Sequence, residues 1–464
     1  MTNWTPALPE GQKPLYRAIA DCLAGDVAAG RLAPGSRLPT HRDLAWALGV
    51  TVGTVSRAYA EAERRGLTYG EVGRGTFVRQ PAMAETYFYP GGQSSGAEVI
   101  ELGFAYPAPL NDAVELLPIL QDIGAGPMPE GLFGYQSHPS TLPQRAAGSA
   151  WIARRGLAIS PDLVTLTGGG QHAMLVALGA LTRPGDRVVT ECMTYPGLQA
   201  AARLLGLKLE GLPIDEQGLL PAALDAACRD GGVKALYCLP VLQNPTNVTM
   251  PAARRQAVAE VAAAHSLPVI EDDVYGLLPE SAPAALCSHL PELGFYITSL
   301  SKTVSPGLRI GYLAAPAWAG PQVNRALRGS CWMSSPLTAE IATRLVVDGA
   351  AERILLARRE EARARVRLAE GVFEGQAFRA APEAIHIWLW LPDPWRATAF
   401  AAEARHRGVS VTPADTFAVG RQVADHAVRI CLGPPQRRED LEEGLKRLRR
   451  LLDDGPDGNS FGVV

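Results

Sequence analysis

Hydrophobic positions in the first eighty residues recur at helical spacing, between residues that commonly begin and end helices. This spacing predicts three helices, at 14–30, 40–49 and 51–66. Short apolar runs at 67–69 and 76–78 predict the two strands of a hairpin. Two helices joined across a tight turn and followed by a hairpin form a helix-turn-helix pattern.

Beyond the first hundred residues, short apolar runs alternate with longer helical segments. Such alternation is typical of an α/β fold with a mainly parallel sheet and helices on both faces. A charged helical segment at 358–367 and an apolar run at 385–391 predict a smaller C-terminal α/β lobe. We therefore expect a helix-turn-helix unit at 10–79, a Pro- and Gly-containing linker at 80–98 and a large domain at 99–455. The clearest predicted strands of the large domain lie at 164–167, 188–190, 235–240 and 268–275.

Length, charge and cysteine spacing narrow the class of protein. The 464 residues, 47% of them hydrophobic, are enough for a large domain with a small module. The net charge of −3 gives no global signal for nucleic acid, but residues 1–79 hold ten Lys and Arg against seven Asp and Glu. The seven cysteines form no C-x-x-C pair or zinc spacing, and we find no signal segment or membrane-length apolar run. We expect a cytoplasmic protein with reduced thiols and no metal site.

The segment Ser299–Gly311 sets Lys302 between small hydroxyl residues and a downstream arginine. A lysine amine attacks a carbonyl cofactor only after losing its proton, which burial or a neighbouring cation favours. The side chains of Ser299, Ser301 and Arg309 suit the phosphate of such a cofactor. A single lysine in a loop is more commonly a solvated surface residue, so the assignment depends on the accompanying motifs.

The N-terminal unit carries L-P-x-x-R-x-L-A at 38–45, G-V-x-x-x-T-V at 49–55 and G-R-G-T-F-V at 73–78. It resembles the winged helix-turn-helix domain of GntR-family regulators, with Thr40 and Thr51 as expected N-caps of two helices. The alternative is a small helical module for protein contacts, with solvated arginines. The resemblance implies double-stranded DNA as partner, and the side chains expected to face it are Arg42, Thr51, Thr54, Arg57 and Arg74.

The large domain carries several further motifs in a fixed order. G-G-Q stands at 169–171, N-P-T at 244–246, D-x-x-Y at 272–275, and S-x-S-K at 299–302 with Arg309 seven residues later. In this order the chain resembles, over roughly residues 100 to 450, the fold-type I enzymes that use pyridoxal 5'-phosphate, the aspartate-aminotransferase-like family. The resemblance implies that cofactor.

The resemblance assigns a role to each matching residue. Lys302, Asp272 and Tyr275 are the expected catalytic residues, with Lys302 joined to the cofactor and Asp272 at its ring nitrogen. Arg429, within A-V-R-I-C-L-G at 427–433, would bind a ligand carboxylate through its planar guanidinium. The other expected cofactor-binding residues are Gly169, Gly170, Gln171, Ser299 and Arg309 at the phosphate, Tyr195 on the ring, Asn244 and Tyr275 at the phenolic oxygen, and Tyr135 at the neighbouring subunit's phosphate.

Alternatives stay open at several of these positions. Tyr195 by itself would pack in a core, and Arg429 by itself would lie on the surface. The D-x-x-Y spacing favours Asp272 over Asp273. Asn247 stands where the family motif has glycine, and asparagine tolerates the left-handed backbone that this turn requires.

A GntR-type head followed by a linker and an aminotransferase-like domain is the order of the MocR/GabR-type transcriptional regulators. The resemblance implies a homodimer whose DNA-binding heads respond to a small amino compound. The leading hypothesis is a DNA-binding regulator that senses an amino acid or related compound through aldimine exchange at Lys302. A catalytically active aminotransferase and a sensor of pyridoxal phosphate that controls vitamin B6 supply are the alternatives, and the motifs leave transamination open.

Overall fold

The computed structural model describes most of the chain, which divides into two compact units, Met1–Gly92 and Gln93–Val464. The predicted linker at 80–98 lies outside the described residues, and the predicted domain boundaries stay predictions. The described ranges are 4–6, 14–28, 31–32, 35–64, 67–71, 75–78, 99–111, 113–125, 131–135, 140–420 and 425–455.

Unit 1 contains the predicted helices and the predicted hairpin. The helices are α1 (Leu15–Ala28), α2 (His41–Leu48) and α3 (Val52–Arg64). The strands β1 (Thr68–Glu71) and β2 (Gly75–Val78) pair in antiparallel fashion. The apolar stripes of the three helices meet in one core, because each stripe repeats on a single helix face.

The predicted ends of α2 are confirmed. The Thr40 hydroxyl accepts the Asp43 N–H at 3.2 Å, which satisfies one of the free donors of the first turn. Gly49 ends the helix with φ of 65°, a left-handed conformation that glycine adopts without a Cβ penalty.

Unit 2 alternates strands and helices, as its sequence pattern predicts. Its strands are β3 (Ile100–Glu101), β4 (Val164–Thr167), β5 (Arg187–Glu191), β6 (Lys208–Leu212), β7 (Ile214–Asp215), β8 (Gly218–Leu219), β9 (Val233–Cys238), β10 (Val269–Asp272), β11 (Gly294–Ser299), β12 (Gly311–Ala314), β13 (Phe378–Arg379), β14 (His386–Trp390), β15 (Val409–Ser410), β16 (Thr412–Pro413) and β17 (Ala427–Cys431). Its helices are α4 (Ala113–Ala125), α5 (Leu142–Ala153), α6 (Gly170–Leu181), α7 (Pro196–Leu204), α8 (Pro221–Arg229), α9 (Ala252–Ala264), α10 (Leu300–Thr303), α11 (Gly320–Ser330), α12 (Pro336–Val347), α13 (Ala350–Val372), α14 (Ala397–His406) and α15 (Arg438–Asp454).

The central sheet has seven strands in the order β4-β12-β11-β10-β9-β5-β6. The strand β12 runs antiparallel to both neighbours, and the other pairs are parallel. The predicted mainly parallel sheet is therefore observed with one reversed strand. Its apolar strands pack against helices in separate hydrophobic clusters, which leaves the polar residues at the strand ends to form a site.

The smaller lobe is a four-stranded sheet in the order β13-β14-β17-β16. Trp388 of β14 lies in one hydrophobic cluster with Phe400 of α14, Leu445 of α15 and Phe417. Strand β3 pairs in parallel with β15, so the first element of unit 2 joins this lobe. Within the described residues, no helix combines the length and apolar character needed to cross a bilayer.

Candidate functional site

The expected site residues follow strands of the central sheet that point in one direction. Because β4, β5, β9, β10 and β11 are mutually aligned, their carboxyl ends lie along one edge of the sheet. The residues that follow these ends are Gly169 and Gly170 after β4, Tyr195 after β5, Asn244 after β9, Asp272 and Tyr275 at β10, and Lys302 after β11.

Residues 168–171, Ser299, Ser301 and Arg309 form a group of neighbouring backbone and polar side-chain atoms, here called the phosphate cup after the phosphate that the sequence predicts there. Gly169 has φ of 94°, and α6 begins at Gly170 with its N-terminal amides directed to the cup. A Cβ on Gly169 would lie 2.7 Å from an Arg309 guanidinium nitrogen. The helix N-terminus and the absence of this Cβ both favour a bound phosphate.

Polar side chains close the phosphate cup. The Arg309 guanidinium donates to the Ser301 hydroxyl at 3.3 Å and to the Gly168 carbonyl at 3.1 Å. The Ser299 hydroxyl donates to Ser301 Oγ at 2.9 Å. The Gln171 amide nitrogen donates to the Gly197 carbonyl at 3.1 Å, while its buried Oε1 has no partner within the described chain. Ser301, which the sequence also marked as a suitable residue type for the phosphate, lies between Ser299 and Arg309 in this group.

Asp272 and Asp273 have different surroundings. Asp272 is buried and accepts the Tyr237 hydroxyl at 2.6 Å. Burial raises its pKa to about 6, although the bond from Tyr237 acts in the opposite direction. Asp273 instead pairs with Arg155 at 2.8 Å and accepts the Tyr296 hydroxyl. Asp273 is therefore occupied by a structural ion pair, which leaves Asp272 as the carboxylate on the site side.

Lys302 lies on the short helix α10 and is partly buried. Its amine donates to the Ala105 carbonyl at 2.5 Å and lies 5.9 Å from the centre of the Tyr106 ring. Burial lowers its pKa to about 8; Arg429 and Arg309 act in the same direction, and Cys431 and Asp272 against them. A lower pKa gives the neutral amine that attack on a carbonyl requires.

Arg429 lies on β17, buried in the small lobe beside the cofactor residues. Its guanidinium donates to Asn244 Oδ1 at 2.8 Å and to the Gly103 carbonyl at 2.5 Å, and it lies 4.7 Å from the centre of the Phe417 ring. Its Nε has no partner within the described residues. The fixed, desolvated guanidinium suits bidentate binding of a carboxylate.

The loop that carries Asn244 also contacts the small lobe through Asn247. As expected from the sequence, Asn247 adopts a left-handed backbone, with φ of 58°. Its side-chain amide donates to the His386 carbonyl at 2.6 Å on β14. The residue that departs from the family motif thus adds a bond that glycine could not make.

The aromatic candidates differ in position. Tyr195 precedes α7 and is partly buried; burial raises its pKa to about 12. Tyr275 is buried, and burial raises its pKa as well. Tyr135 is 88% exposed and packs edge-to-face on Trp332, so its contact with a neighbouring subunit stays a prediction.

A segment that the sequence did not single out, Gly103–Ala108, crosses the site. Its carbonyls accept bonds from Arg429 at Gly103 and from Lys302 at Ala105. A main-chain acceptor has no residue-type signature, so the sequence gives no signal for the role of this segment.

The residues expected to face DNA are distributed along α2 and α3. Arg42 and Arg57 are exposed. Thr51 is also exposed, and its hydroxyl lies 2.9 Å from that of Thr54 and accepts the Thr54 N–H at the start of α3. Arg74 lies outside the described residues. The DNA contacts of all five stay predictions.

Two family models match the chain. "Aminotransferase class I and II" matches residues 131–448, more than half of the chain, and "Bacterial regulatory proteins, gntR family" matches residues 15–78. The first covers the expected cofactor and ligand residues from Tyr135 to Arg429 but not the segment Gly103–Ala108, and the second covers the helix-turn-helix unit.

Two HTH-type transcriptional regulators and an aminotransferase are among the proteins similar to this chain. An uncharacterized HTH-type transcriptional regulator, YdeF of Bacillus subtilis, is 34% identical over 455 residues, which cover 97% of each chain. The HTH-type transcriptional regulator TauR of Rhodobacter capsulatus is 26% identical over 483 residues, covering 96% of this chain and 98% of TauR. An archaeal alanine:glyoxylate aminotransferase superposes with a TM-score of 0.71 at 25% identity, covering 78% of this chain and 92% of that structure.

Proposed function

Because the chain belongs to the class I and II aminotransferase family and carries a GntR-family head, we propose that it is a transcriptional regulator that binds DNA in the cytoplasm and responds to a small amino compound. The observation that carries the proposal is that Lys302, whose pKa is lowered by burial, lies close enough to Arg309 of the phosphate cup and to the buried Arg429 for both cations to act on it. This donor set fits pyridoxal phosphate, whose binding the family implies.

Each cofactor-side residue has a distinct task in this proposal. Pyridoxal phosphate supplies an aldehyde that one amine at a time binds covalently, and a pyridine ring that draws electrons when protonated. The phosphate cup would bind the anion, and Lys302 would supply the amine. Asp272, which is buried, would hold a proton at the ring nitrogen. Asn244 and Tyr275 would contact the phenolic oxygen, and Tyr195 would contact the ring.

Arg429 restricts the class of ligand. The buried Arg429 guanidinium is held in place by its bonds to Asn244 and Gly103. A guanidinium fixed in this way can bind a carboxylate through two parallel hydrogen bonds in one plane. An amine that displaces Lys302 and carries such a carboxylate satisfies both ends of the site. We therefore propose an amino acid or a related amino carboxylate as the effector, sensed by exchange at the Lys302 amine.

A second copy of this chain is the partner that the exposed apolar residues favour. Val114, Leu117 and Leu120 are exposed on α4, one helical turn apart. Tyr135 and Trp332 are also exposed, and they pack against each other. Apolar side chains clustered on a surface mark an interaction site. We include a homodimer in the proposal.

The first test is selection of binding sites from fragmented genomic DNA by the purified full-length protein at about 150 mM salt. A regulator should enrich discrete sites that it binds about 10³-fold or more above bulk DNA. Arg57→Ala should weaken this binding, whereas Arg203→Ala, an exposed arginine of unit 2, should not. Enrichment of no sequence, together with steady transamination on the order of 1 to 1000 per second, would instead favour a working aminotransferase.

The second part of the test concerns Lys302. With the selected DNA as probe, an amino carboxylate should change the affinity of the wild-type holoprotein for DNA. Lys302→Ala should abolish that change and leave the basal DNA affinity within about 2-fold, because the head is a separate unit. Lys446→Ala, which alters a surface pair with Glu442, is the matched control. A response that persists in Lys302→Ala would contradict sensing at this amine.

A further inference from the structure

The segment Gly103–Ala108, here called the strap, occupies a special position in the chain. It begins immediately after β3 and Leu102, so only residues 99–102 separate it from the predicted linker. Main-chain bonds from Ile100 to the Gly408 carbonyl and from Leu102 to the Ser410 carbonyl, both 2.9 Å, fix this approach to the small lobe. Movement of the strap would therefore reach the linker within a few residues.

Three cationic side chains hold the strap by its carbonyls. Arg429 donates to Gly103 at 2.5 Å, Lys302 donates to Ala105 at 2.5 Å, and Arg358 donates to Ala108 at 2.7 Å. The Thr412 hydroxyl adds a bond to Gly103 at 2.8 Å. Two of the three cations are the residues proposed to engage the cofactor and the ligand carboxylate. The strap and the ligands thus share their binding partners.

Packing leaves the strap little freedom beside Gly433. A Cβ on Gly433 would lie 1.7 Å from the Tyr106 carbonyl oxygen, which is closer than any real contact. The Tyr106 ring stacks on Phe104 at 5.8 Å and is 39% exposed. The absence of a side chain at Gly433 therefore allows the strap to lie against β17 and its extension.

Competition for the same donors gives the strap two states. A lysine nitrogen joined to the cofactor's aldehyde carbon retains at most one hydrogen, whereas the charged amine that a ligand sets free has three to donate, so displacement of Lys302 restores its bond to Ala105. A carboxylate on Arg429 takes donors that otherwise reach Gly103 and Asn244. A ligand shifts such an equilibrium only through different affinities for the two states, and this exchange of partners supplies the difference.

We propose that the strap passes occupation of the effector site to the linker: when an amino carboxylate displaces Lys302 and binds Arg429, Gly103 loses its bond, Ala105 accepts a bond from the freed lysine amine, and the strap moves. The inference rests on the proposed function, because it assigns the regulation of that same site. It adds a specific transmitting element, residues 103–108. It also adds a specific residue, Gly433, whose lack of a side chain leaves room for this element.

The test compares Gly433→Ala with Gly371→Ala in the full-length holoprotein. The added methyl at Gly433 must push the strap away, whereas Gly371 in α13 has open space around its Cα. Aminooxyacetate serves as the probe, because it carries a carboxylate and an amine-type nucleophile that displaces lysine from pyridoxal phosphate. The two readouts are hydrogen exchange of the amides at 99–108 and the dissociation constant for the selected DNA.

In the wild type and in Gly371→Ala, aminooxyacetate should speed exchange in the strap and change the DNA dissociation constant by about 5- to 150-fold. Gly433→Ala should show fast strap exchange and the shifted DNA affinity without the probe. If no amino carboxylate changes the DNA dissociation constant of the wild type, the proposed function is contradicted. A wild type that responds while strap exchange stays constant would overturn the strap alone.

A second variant tests the strap without any change at Gly433, so the test does not depend on whether Gly433→Ala folds. Eight residues of alternating Gly and Ser inserted between residues 98 and 99 leave the site intact and lengthen the connection to the linker. Aminooxyacetate should still speed strap exchange in this variant, but the change in DNA affinity should fall to less than about 2-fold. A DNA response as large as that of the wild type would overturn the inference.

Discussion

The two halves of the candidate site are built in different ways. The cofactor half consists of Gly169, Asp272, Lys302 and Arg309, each at or near the end of a strand in the central sheet. The ligand half is centred on Arg429, whose guanidinium bonds Asn244 and Gly103, 185 and 326 positions away in the chain. The residues of the cofactor half come from short segments at strand ends. The ligand half forms only when segments that are distant in the chain pack against one another.

This difference has a functional consequence. Residues at strand ends are held by the sheet, so the cofactor half keeps its geometry independently of the small lobe. The ligand half depends on contacts among the strap, the 243–247 loop and β17, which can be exchanged for contacts with a ligand. A regulator needs both properties, because it must retain its cofactor while its ligand comes and goes.

The largest expected effect that separates the halves is that of Arg429→Lys. Lysine keeps the charge but loses the planar pair of donors, so affinity for amino carboxylates should fall by about 10- to 100-fold. Affinity for pyridoxal phosphate should change by less than about 3-fold, because the phosphate cup is untouched. Spectral titration of the holoprotein and of the apoprotein measures the two affinities.

The matched control for this variant is Arg203→Lys, at an exposed position of α7. It should leave both affinities at the wild-type values. Equal losses of ligand and cofactor affinity in Arg429→Lys would show that the two halves act as one cooperative unit. That result would contradict the division of the site into two halves.

The sequence predicts the cofactor half better than the ligand half for a physical reason. Glycine at φ of 94°, a lysine between hydroxyl residues and an acidic residue at a strand end are requirements on residue type, and they leave a trace in the sequence. The predicted strand at 164–167 and the cap at Thr40 likewise follow from local rules. The strap acts through its carbonyls, which every residue possesses, so no pattern could reveal it.

The second expected effect concerns how the halves influence each other through charge. The pKa of Lys302, about 8, lies below the ordinary value because of burial, with help from Arg429 and Arg309 against Cys431 and Asp272. The neutral amine is the reactive form, so the rate of cofactor capture should rise about 10-fold per pH unit below pH 8 and level off above it. Stopped-flow absorbance of the apoprotein mixed with pyridoxal phosphate measures this rate.

Removing the charge of the ligand half should shift this profile. In Arg429→Gln the lysine loses a neighbouring cation, its pKa rises, and the plateau should move to higher pH. Arg203→Gln provides the control and should leave the profile unchanged. A plateau that stays near pH 8 in Arg429→Gln would show that Arg429 does not contribute to the lysine pKa, and that the halves are electrostatically independent.

The smallest expected effect assigns the 243–247 loop to one half or the other. Asn247→Gly loses the 2.6 Å bond to the His386 carbonyl but keeps a backbone suited to φ of 58°, so the free energy of unfolding should fall by about 1 kcal/mol. Asn247→Ala loses the same bond and adds backbone strain, so it should cost about 1 kcal/mol more. Urea unfolding of the full chain measures both.

The two variants at Asn247 also separate the bond from the backbone. If Asn247 serves the ligand half, Asn247→Gly should weaken binding of amino carboxylates, because β14 and the adjacent β17 are no longer tied to the loop that carries Asn244. Affinity for pyridoxal phosphate should then remain close to the wild-type value. A loss of cofactor affinity instead would place this loop in the cofactor half, and the boundary between the halves would have to be drawn along β14 and β17 rather than through the loop.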